Sequence, residues 1–350
     1  MKITPNNEKL RYSGRIDFTD EKAPVMVFPC SHVVLRFTGN VLKVTVENKH
    51  AYWNNYIGYI LDGKQHCVQL EMEGKQTIDI EIENTETEAH EFMLFKRMDS
   101  CHYLTIHEFE LADDGMLLDP PPAKERRIEV YGDSVSAGEV SEAVDYAGKE
   151  DPEHNGEFSN SWYSYAWMTA RKLGAEIHDV AQGGIPLLDG TGWFAAPNYL
   201  GMESVYDKIR YNPDLGDSCQ WDFSKYTPQV VVIALGQNDN HPEDYMASEP
   251  EGEKAAYWKD HYEQFVRTIR SKYPKATIIL ATTILNHSAN WDEAIDEVCA
   301  RIGDPKVHHF LYSQNGKGTP GHIRIPEAEQ MSDELSSFIE SLGESIWQEM

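Results

Sequence analysis

The sequence predicts two domains: an N-terminal β-sandwich (jelly roll) and a C-terminal α/β/α domain built on a parallel sheet. Three observations lead there. Residues 11–111 carry short β-branched and aromatic runs with no long helical period between them. Asp119 is followed by three prolines, Pro120-Pro121-Pro122. Beyond them, apolar runs of strand length alternate with helical patterns. At 350 residues the chain also exceeds what one core usually organises. The boundaries read as 1–118 for the sandwich, 119–126 for a proline-rich linker and 127–350 for the α/β domain.

Taken in order, strands are expected at 33–37, 41–46, 56–61 and 77–82, where apolar and polar residues partly alternate. Asp62-Gly63 and Glu73-Gly74 read as the turns between them. Proline cannot donate to a ladder and stiffens the chain, so the linker is semi-rigid. In the second domain strands are expected at 128–131, 177–181, 230–235, 277–284 and 307–312. Helices are expected at 161–173, 257–273 and 326–347. In the last, Met331, Leu335, Phe338, Leu342 and Ile346 recur every three or four residues, and Pro326 suits a first turn. Strands alternating with helices imply a parallel sheet covered on both faces.

Formal net charge is −27, which argues against nucleic acid or an anionic membrane as partner. A neutral partner such as a polysaccharide fits this acidity, and so does a purely solubilising role. Residues 1–7 hold no apolar h-region, and no run of about 18 apolar residues occurs. Five scattered cysteines show no Cys-x-x-Cys spacing and read as reduced thiols. A cytoplasmic protein without a membrane span is the expectation. His-Glu-x-x-His, phosphate-loop and dinucleotide fingerprints are missing, so neither metal nor cofactor is expected.

Chemistry concentrates in four places. Gly132-Asp133-Ser134 ends the first strand of the α/β domain, where ligands reach open sheets. A serine there is a nucleophile if a base takes its proton, or simply a helix N-cap. Gly183-Gly184 follows the second strand, and glycine lets backbone N–H groups aim at a ligand. Gly236-Gln237-Asn238-Asp239 follows the third, and the Asn238 amide is a donor suited to an oxyanion; a turn or cap is the plainer alternative. His322 stands in a glycine-rich loop between the last strand and the last helix. Most loop histidines are solvated, but this position shares the rim with Ser134. His308 and His309 fall in a strand and read as structural, whereas His241 follows the Asn238 loop and can line a cleft. Sugar rings stack on flat aromatic faces; Trp193 and Trp291, in segments after strands, are the candidates, and Trp162 reads as core.

These four blocks, in this order, resemble the SGNH (GDSL-like) hydrolase superfamily. With the preceding sandwich, Gly14-Arg15 and the sequence 127–134, the chain is most similar to carbohydrate esterase family 2. The resemblance implies an O-acetyl esterase that removes acetyl groups from plant polysaccharide oligomers, of acetylated mannan or glucomannan or of xylan. It implies Ser134 as nucleophile and His322 as base. The N–H groups of Ser134 and Gly184, with the Asn238 side chain, would form the oxyanion hole, Gly183 being the substitute if the alignment slips by one.

One departure stands out. The superfamily usually carries an Asp two or three residues before the histidine, and Thr319-Pro320-Gly321 hold none. A backbone carbonyl holding Nδ1, hence a Ser-His dyad, or a distant acid such as Asp304 are the options the sequence leaves. Ile323, where proline commonly follows the histidine, is a lesser departure. Two other functions remain open: a lipid or thioester hydrolase of the same superfamily, and a carbohydrate-binding protein without catalysis.

Overall fold

The structure is a computed structural model that describes residues 1–82 and 88–348. It separates into two compact units, each considered by itself. The first comprises Met1–Ala123 together with two later segments, His154–Glu157 and Ile209–Cys219. The second holds Lys124–Glu153, Phe158–Lys208 and Gln220–Met350. The later segments of the first unit lie within the range, 127–350, that the sequence reading gives whole to the α/β domain.

The strands of the first unit are β1 (Lys2–Ile3), β2 (Arg11–Ser13), β3 (Ile16–Asp17), β4 (Val25–Met26), β5 (His32–Phe37), β6 (Leu42–His50), β7 (Tyr56–Leu61), β8 (Lys64–Gln69), β9 (Glu73–Ile80), β10 (His90–Lys96), β11 (His102–Leu111) and β12 (Leu117–Leu118). They form two antiparallel sheets. One runs β3-β4-β11-β6-β9 with β1 on β11; the other runs β12-β5-β10-β7-β8 with β2 on β5. Leu42, Val44 and Val46 of β6 point inward and their neighbours stay half-exposed, as a period of two requires. They meet Leu35 and Phe37 of β5, Phe92 and Leu94 of β10, and Ile106 and Phe109 of β11 in one apolar core.

Asp62 and Gly63 both have positive φ, 51° and 82°, the geometry of a two-residue hairpin between β7 and β8. Glu73-Gly74 is not a turn: Gly74 lies opposite Asn48 inside β9, and the chain crosses between sheets at residues 70–72. The segment Ile209–Cys219 is tied into this unit. The Tyr103 hydroxyl accepts from the N–H groups of Tyr211 and Asn212 at 3.0 and 2.9 Å, the Asn212 amide donates to the Ser100 carbonyl at 2.7 Å, and Tyr211 stacks on Phe28 at 5.0 Å.

In the second half the chain forms β13 (Arg126–Gly132), β14 (Ala175–Ala181), a short ribbon of β15 (Lys208–Arg210) with β16 (Cys219–Gln220), then β17 (Val230–Ala234), β18 (Thr277–Ala281) and β19 (Val307–His309). Its parallel sheet has the order β14-β13-β17-β18-β19. All five residues of β17 and of β18 are buried, which is why they read as unbroken apolar runs. The helices are α1 (Ser134–Ala137), α2 (Tyr165–Lys172), α3 (Met202–Val205), α4 (Tyr245–Ser248), α5 (Glu253–Lys272), α6 (Ala289–Ile302) and α7 (Ile325–Ser341). The helix expected at 161–173 breaks at Ser164, whose hydroxyl accepts from Trp167 N–H and starts α2 afresh. From β13 the chain winds first to β14 on one side and then to β17 on the other. The carboxyl end of β13 is therefore the switch point of the sheet, where a crevice opens.

Candidate active site

Strand β13 delivers Gly132-Asp133-Ser134 to that crevice. Gly132 is required by crowding, since a Cβ there would lie 2.1 Å from Ser136 Oγ. Asp133, not Ser134, caps α1: its extended backbone and its carboxylate, accepting from Val135 N–H at 3.0 Å, fill the N-cap role. The Ser134 hydroxyl is thereby released from helix capping.

That hydroxyl meets the imidazole of His322. Ser134 Oγ donates to Nε2 at 2.8 Å, and His322 Nδ1 donates to Asp151 Oδ2 at 2.6 Å. A carboxylate only accepts, so the proton is assigned to Nδ1 and the Nε2 lone pair faces the serine hydroxyl. Asp151 is the acid that the sequence reading does not find. It lies 171 positions before His322, and its Oδ1 also accepts from His322 N–H at 2.9 Å and Arg324 Nη2 at 2.7 Å. Arg324 is fully buried and donates as well to the carbonyls of Ala143 and His322. Gly321 makes room, because a Cβ there would press within 2.7 Å of Asp151 Oδ1.

The dyad held by a backbone carbonyl is thus corrected to a Ser-His-Asp constellation. Asp304 is engaged elsewhere, with Arg270 at 2.8 Å. The burial of Arg324, which requires a carboxylate near it, becomes visible only in the folded structure. Burial opposes the charge on Asp151, yet His322 and Arg324 hold its carboxyl well below the usual range. Burial alone would lower the pKa of His322, but acidic neighbours outweigh it and hold it above the ordinary imidazole value.

Two of the donors expected for an oxyanion, Asn238 and Gly184, lie in two neighbouring loops. Asn238 opens a 3₁₀ turn after β17, and its amide donates to the Ile185 carbonyl at 3.1 Å and, more weakly, to Asp133 Oδ2 at 3.4 Å. Gln237 donates to the same oxygen at 2.6 Å. Gly184, with φ of 71°, turns the loop after β14. Among the described residues, the N–H groups of Ser134 and Gly184 donate to no protein atom. Asp239 ties the two loops, its buried carboxylate accepting from Leu187 and Leu188 N–H at 2.8 and 3.1 Å, while burial pushes its pKa up to about 7.

Ser134, Asp133, Asp151, Asn238, His287 and His322 line a cavity of about 220 Å³. Gly184, Trp193 and His241 stand outside its lining. Trp193 is 60% exposed and stacks on His241 at 3.5 Å, and its N–H donates to the Gly184 carbonyl at 2.9 Å. An exposed aromatic ring is therefore tethered to the Gly184 loop. His241 also borders a second cavity of about 510 Å³.

Trp291 is a correction. It is 1% exposed, lies in α6, packs edge-on against Trp258 at 5.1 Å and donates Nε1 to Asp244 at 3.1 Å. Both rings sit beneath Gly236, where a Cβ would be 3.2 Å from Trp258 and 3.7 Å from Trp291. Trp291 supports the Asn238 loop from below and cannot reach a sugar.

Comparison with known proteins agrees with both halves. Residues 12–121 match the family described as carbohydrate esterase 2 N-terminal, and residues 130–311 match the GDSL-like lipase/acylhydrolase family. The chain is 29% identical over 347 residues to the cellulase/esterase CelE of Acetivibrio thermocellus, covering 96% of this chain but 40% of that protein. It is 26% identical over 287 residues to an acetylxylan esterase/glucomannan deacetylase of Cellvibrio japonicus, covering 81% of this chain and 74% of the other. Among solved structures it resembles a family two carbohydrate esterase from Clostridium thermocellum in complex with cellohexaose, with a TM-score of 0.80, 27% identity, and coverage of 97% of this chain and 100% of that one.

Proposed function

The chain belongs to the GDSL-like lipase/acylhydrolase family, and on that premise and the geometry of its site we propose that it is a carboxylic ester hydrolase, an O-acetyl esterase acting on acetylated oligosaccharides of mannan, glucomannan or xylan. The observation that carries this reading is the unbroken chain from Ser134 Oγ through His322 to Asp151, at 2.8 and 2.6 Å, opening on a small polar cavity. Ser134 attacks the acetyl carbonyl while its proton passes to His322 Nε2. Asp151 keeps Nδ1 protonated and steadies the imidazolium. The oxyanion takes hydrogen bonds from Ser134 N–H, Gly184 N–H and the Asn238 amide, which gives up its long contact with Asp133. The protonated histidine then hands its proton to the departing sugar hydroxyl, and water repeats the sequence on the acetyl-enzyme.

The cavity favours acetyl over a fatty acyl chain. Asp133, Glu150, Asp151, Asn238 and Asn240 contribute to its walls, and a volume of about 220 Å³ suits a small acyl group. The acetylxylan esterase/glucomannan deacetylase relative supports the same acyl group and the same kind of backbone. Acetate release from acetylated glucomannan and xylan oligosaccharides tests the proposal. Turnover is expected with acetyl esters and should fall steeply along a series of longer acyl chains; preference for long chains, or no acetate at all, would sink it.

Two variants test its parts. Asn238→Ala is expected to lower kcat by about 10²–10³, measured on a small acetate ester with thermal unfolding as the control. Trp193→Ala is expected to raise KM for acetylated oligosaccharides by roughly three- to tenfold, the worth of one aromatic contact. It should leave the small ester nearly unaffected, and equal loss on both substrates would remove Trp193 from sugar binding.

A further inference from the structure

Helix α1 is a single turn. It ends at Gly138, whose φ of 78° is left-handed and where a Cβ would lie 2.6 Å from the Asn160 carbonyl oxygen. The chain is therefore folded back over the serine, and Glu139 N–H donates to the Ser134 carbonyl at 3.0 Å. This return carries the Glu139 side chain to the imidazole. Its carboxylate stands 3.9 Å from His322 Nε2 and is 11% exposed. His322 thus has a carboxylate at each ring nitrogen: Asp151 hydrogen-bonded to Nδ1, and Glu139 close to Nε2 but beyond hydrogen-bond range.

We propose that Glu139 is a positioning residue for the hydrolysis, a second carboxylate whose field stabilises the imidazolium that His322 becomes on taking the Ser134 proton. The inference rests on the esterase reading for its kinetic consequence, although the charge coupling does not. When the Oγ–H bond breaks and Oγ bonds to the acetyl carbon, the proton moves to Nε2 and the ring gains a positive charge. Nε2–H still points to the serine and the leaving oxygen, so Glu139 does not compete for the proton; at 3.9 Å it acts through space.

The other groups around the ring are Asp133, buried at the start of α1; Arg324, spent on Asp151 and on carbonyls; and Glu150 and His287, on the wall of the cavity. The raised pKa of His322 agrees with this arrangement. Burial lowers it, and against that the charge of Glu139, the hydrogen bond and charge of Asp151 and the charge of Asp133 all raise it. The sign follows. A stronger base speeds proton removal at neutral and alkaline pH, but the free enzyme is protonated, and idle, to a higher pH.

Glu139→Gln removes the charge and keeps the shape. The His322 ring titration, followed by NMR and assigned with His322→Gln, is expected to move down by about 1–2 pH units. The acid limb of kcat/KM for a small acetate ester is expected to move down with it, while the plateau falls by about tenfold. A purely structural glutamate would lower rate or stability without moving either midpoint, and unchanged midpoints overturn the proposal. Glu139→Asp, which withdraws the charge by about one methylene, is expected to give a smaller shift in the same direction, and it decides the matter if Glu139→Gln does not fold. If the wild-type protein cleaves no acetyl ester yet the ring titration shifts, the esterase reading fails and the coupling stands. If turnover depends on Ser134 but neither midpoint moves, only the role of Glu139 falls.

Discussion

Replacing Ser134 with alanine is expected to reduce acetyl-ester turnover by about 10⁴–10⁶-fold, with little change in stability or in affinity for oligosaccharides. The size follows from the role. Without Oγ there is nothing for His322 to deprotonate, and what remains is the contribution of the oxyanion donors and of substrate positioning. The small effect on stability follows from Asp133, which caps α1 in place of the serine, so the variant removes a hydroxyl and leaves the helix start intact. Steady-state kinetics on a chromogenic acetate, together with calorimetric binding of an oligosaccharide, check both halves. A variant that keeps more than about a hundredth of the activity would mean that another group is the nucleophile. One that loses sugar affinity equally would return Ser134 to a structural part.

The second large effect is expected at Asp151. Asp151→Asn should lower kcat by about 10³–10⁴-fold. An amide at this position can present N–H to Nδ1, which favours the tautomer with the proton on Nε2 and leaves the serine without a base. A dyad held by a backbone carbonyl would lose almost nothing, so this one substitution separates the two mechanisms. The variant also weakens the partnership with buried Arg324, a loss of about 1.5–3 kcal/mol for a charged hydrogen bond. Thermal unfolding is therefore measured alongside, and the rate is compared at a temperature where both proteins are folded. Because Asp151 is held well below the usual carboxylate range by His322 and Arg324, it stays ionised across the working pH. Of these two catalytic partners, it is therefore His322 and not Asp151 whose protonation accompanies a loss of activity on acidification.

The sandwich was legible because one face of each sheet is buried, which writes a period of two into residues such as Leu42, Val44 and Val46. The parallel strands were legible for the opposite reason, burial on both faces. Ser134, Asn238 and His322 could be picked out because each follows a strand or precedes a helix on one rim, which local pattern records. Asp151 could not, since its contact with His322 depends on how two loops far apart in sequence fold against each other, and no spacing encodes that. Glu139 was hidden for a related reason: α1 stops after one turn, and a longer helix would have carried residue 139 away from the imidazole. The error at Trp291 was avoidable. Trp291, Ile295 and Val298 stand at i, i+4 and i+7, the buried stripe of a helix that Ser288 caps. Glu73-Gly74 misled because a glycine with positive φ can sit inside a strand as well as in a turn.

The discontinuity of the first unit bears on how the molecule is made. During synthesis, residues 1–123 emerge long before Ile209–Cys219. Until that late segment arrives, Phe28 lacks its stacking partner and the Tyr103 hydroxyl lacks both of its donors. The sandwich therefore has to wait for its last pieces, which are supplied by chain that belongs, by position, to the other half. A fragment cut at the proline run would lack the His154–Glu157 and Ile209–Cys219 pieces of this unit.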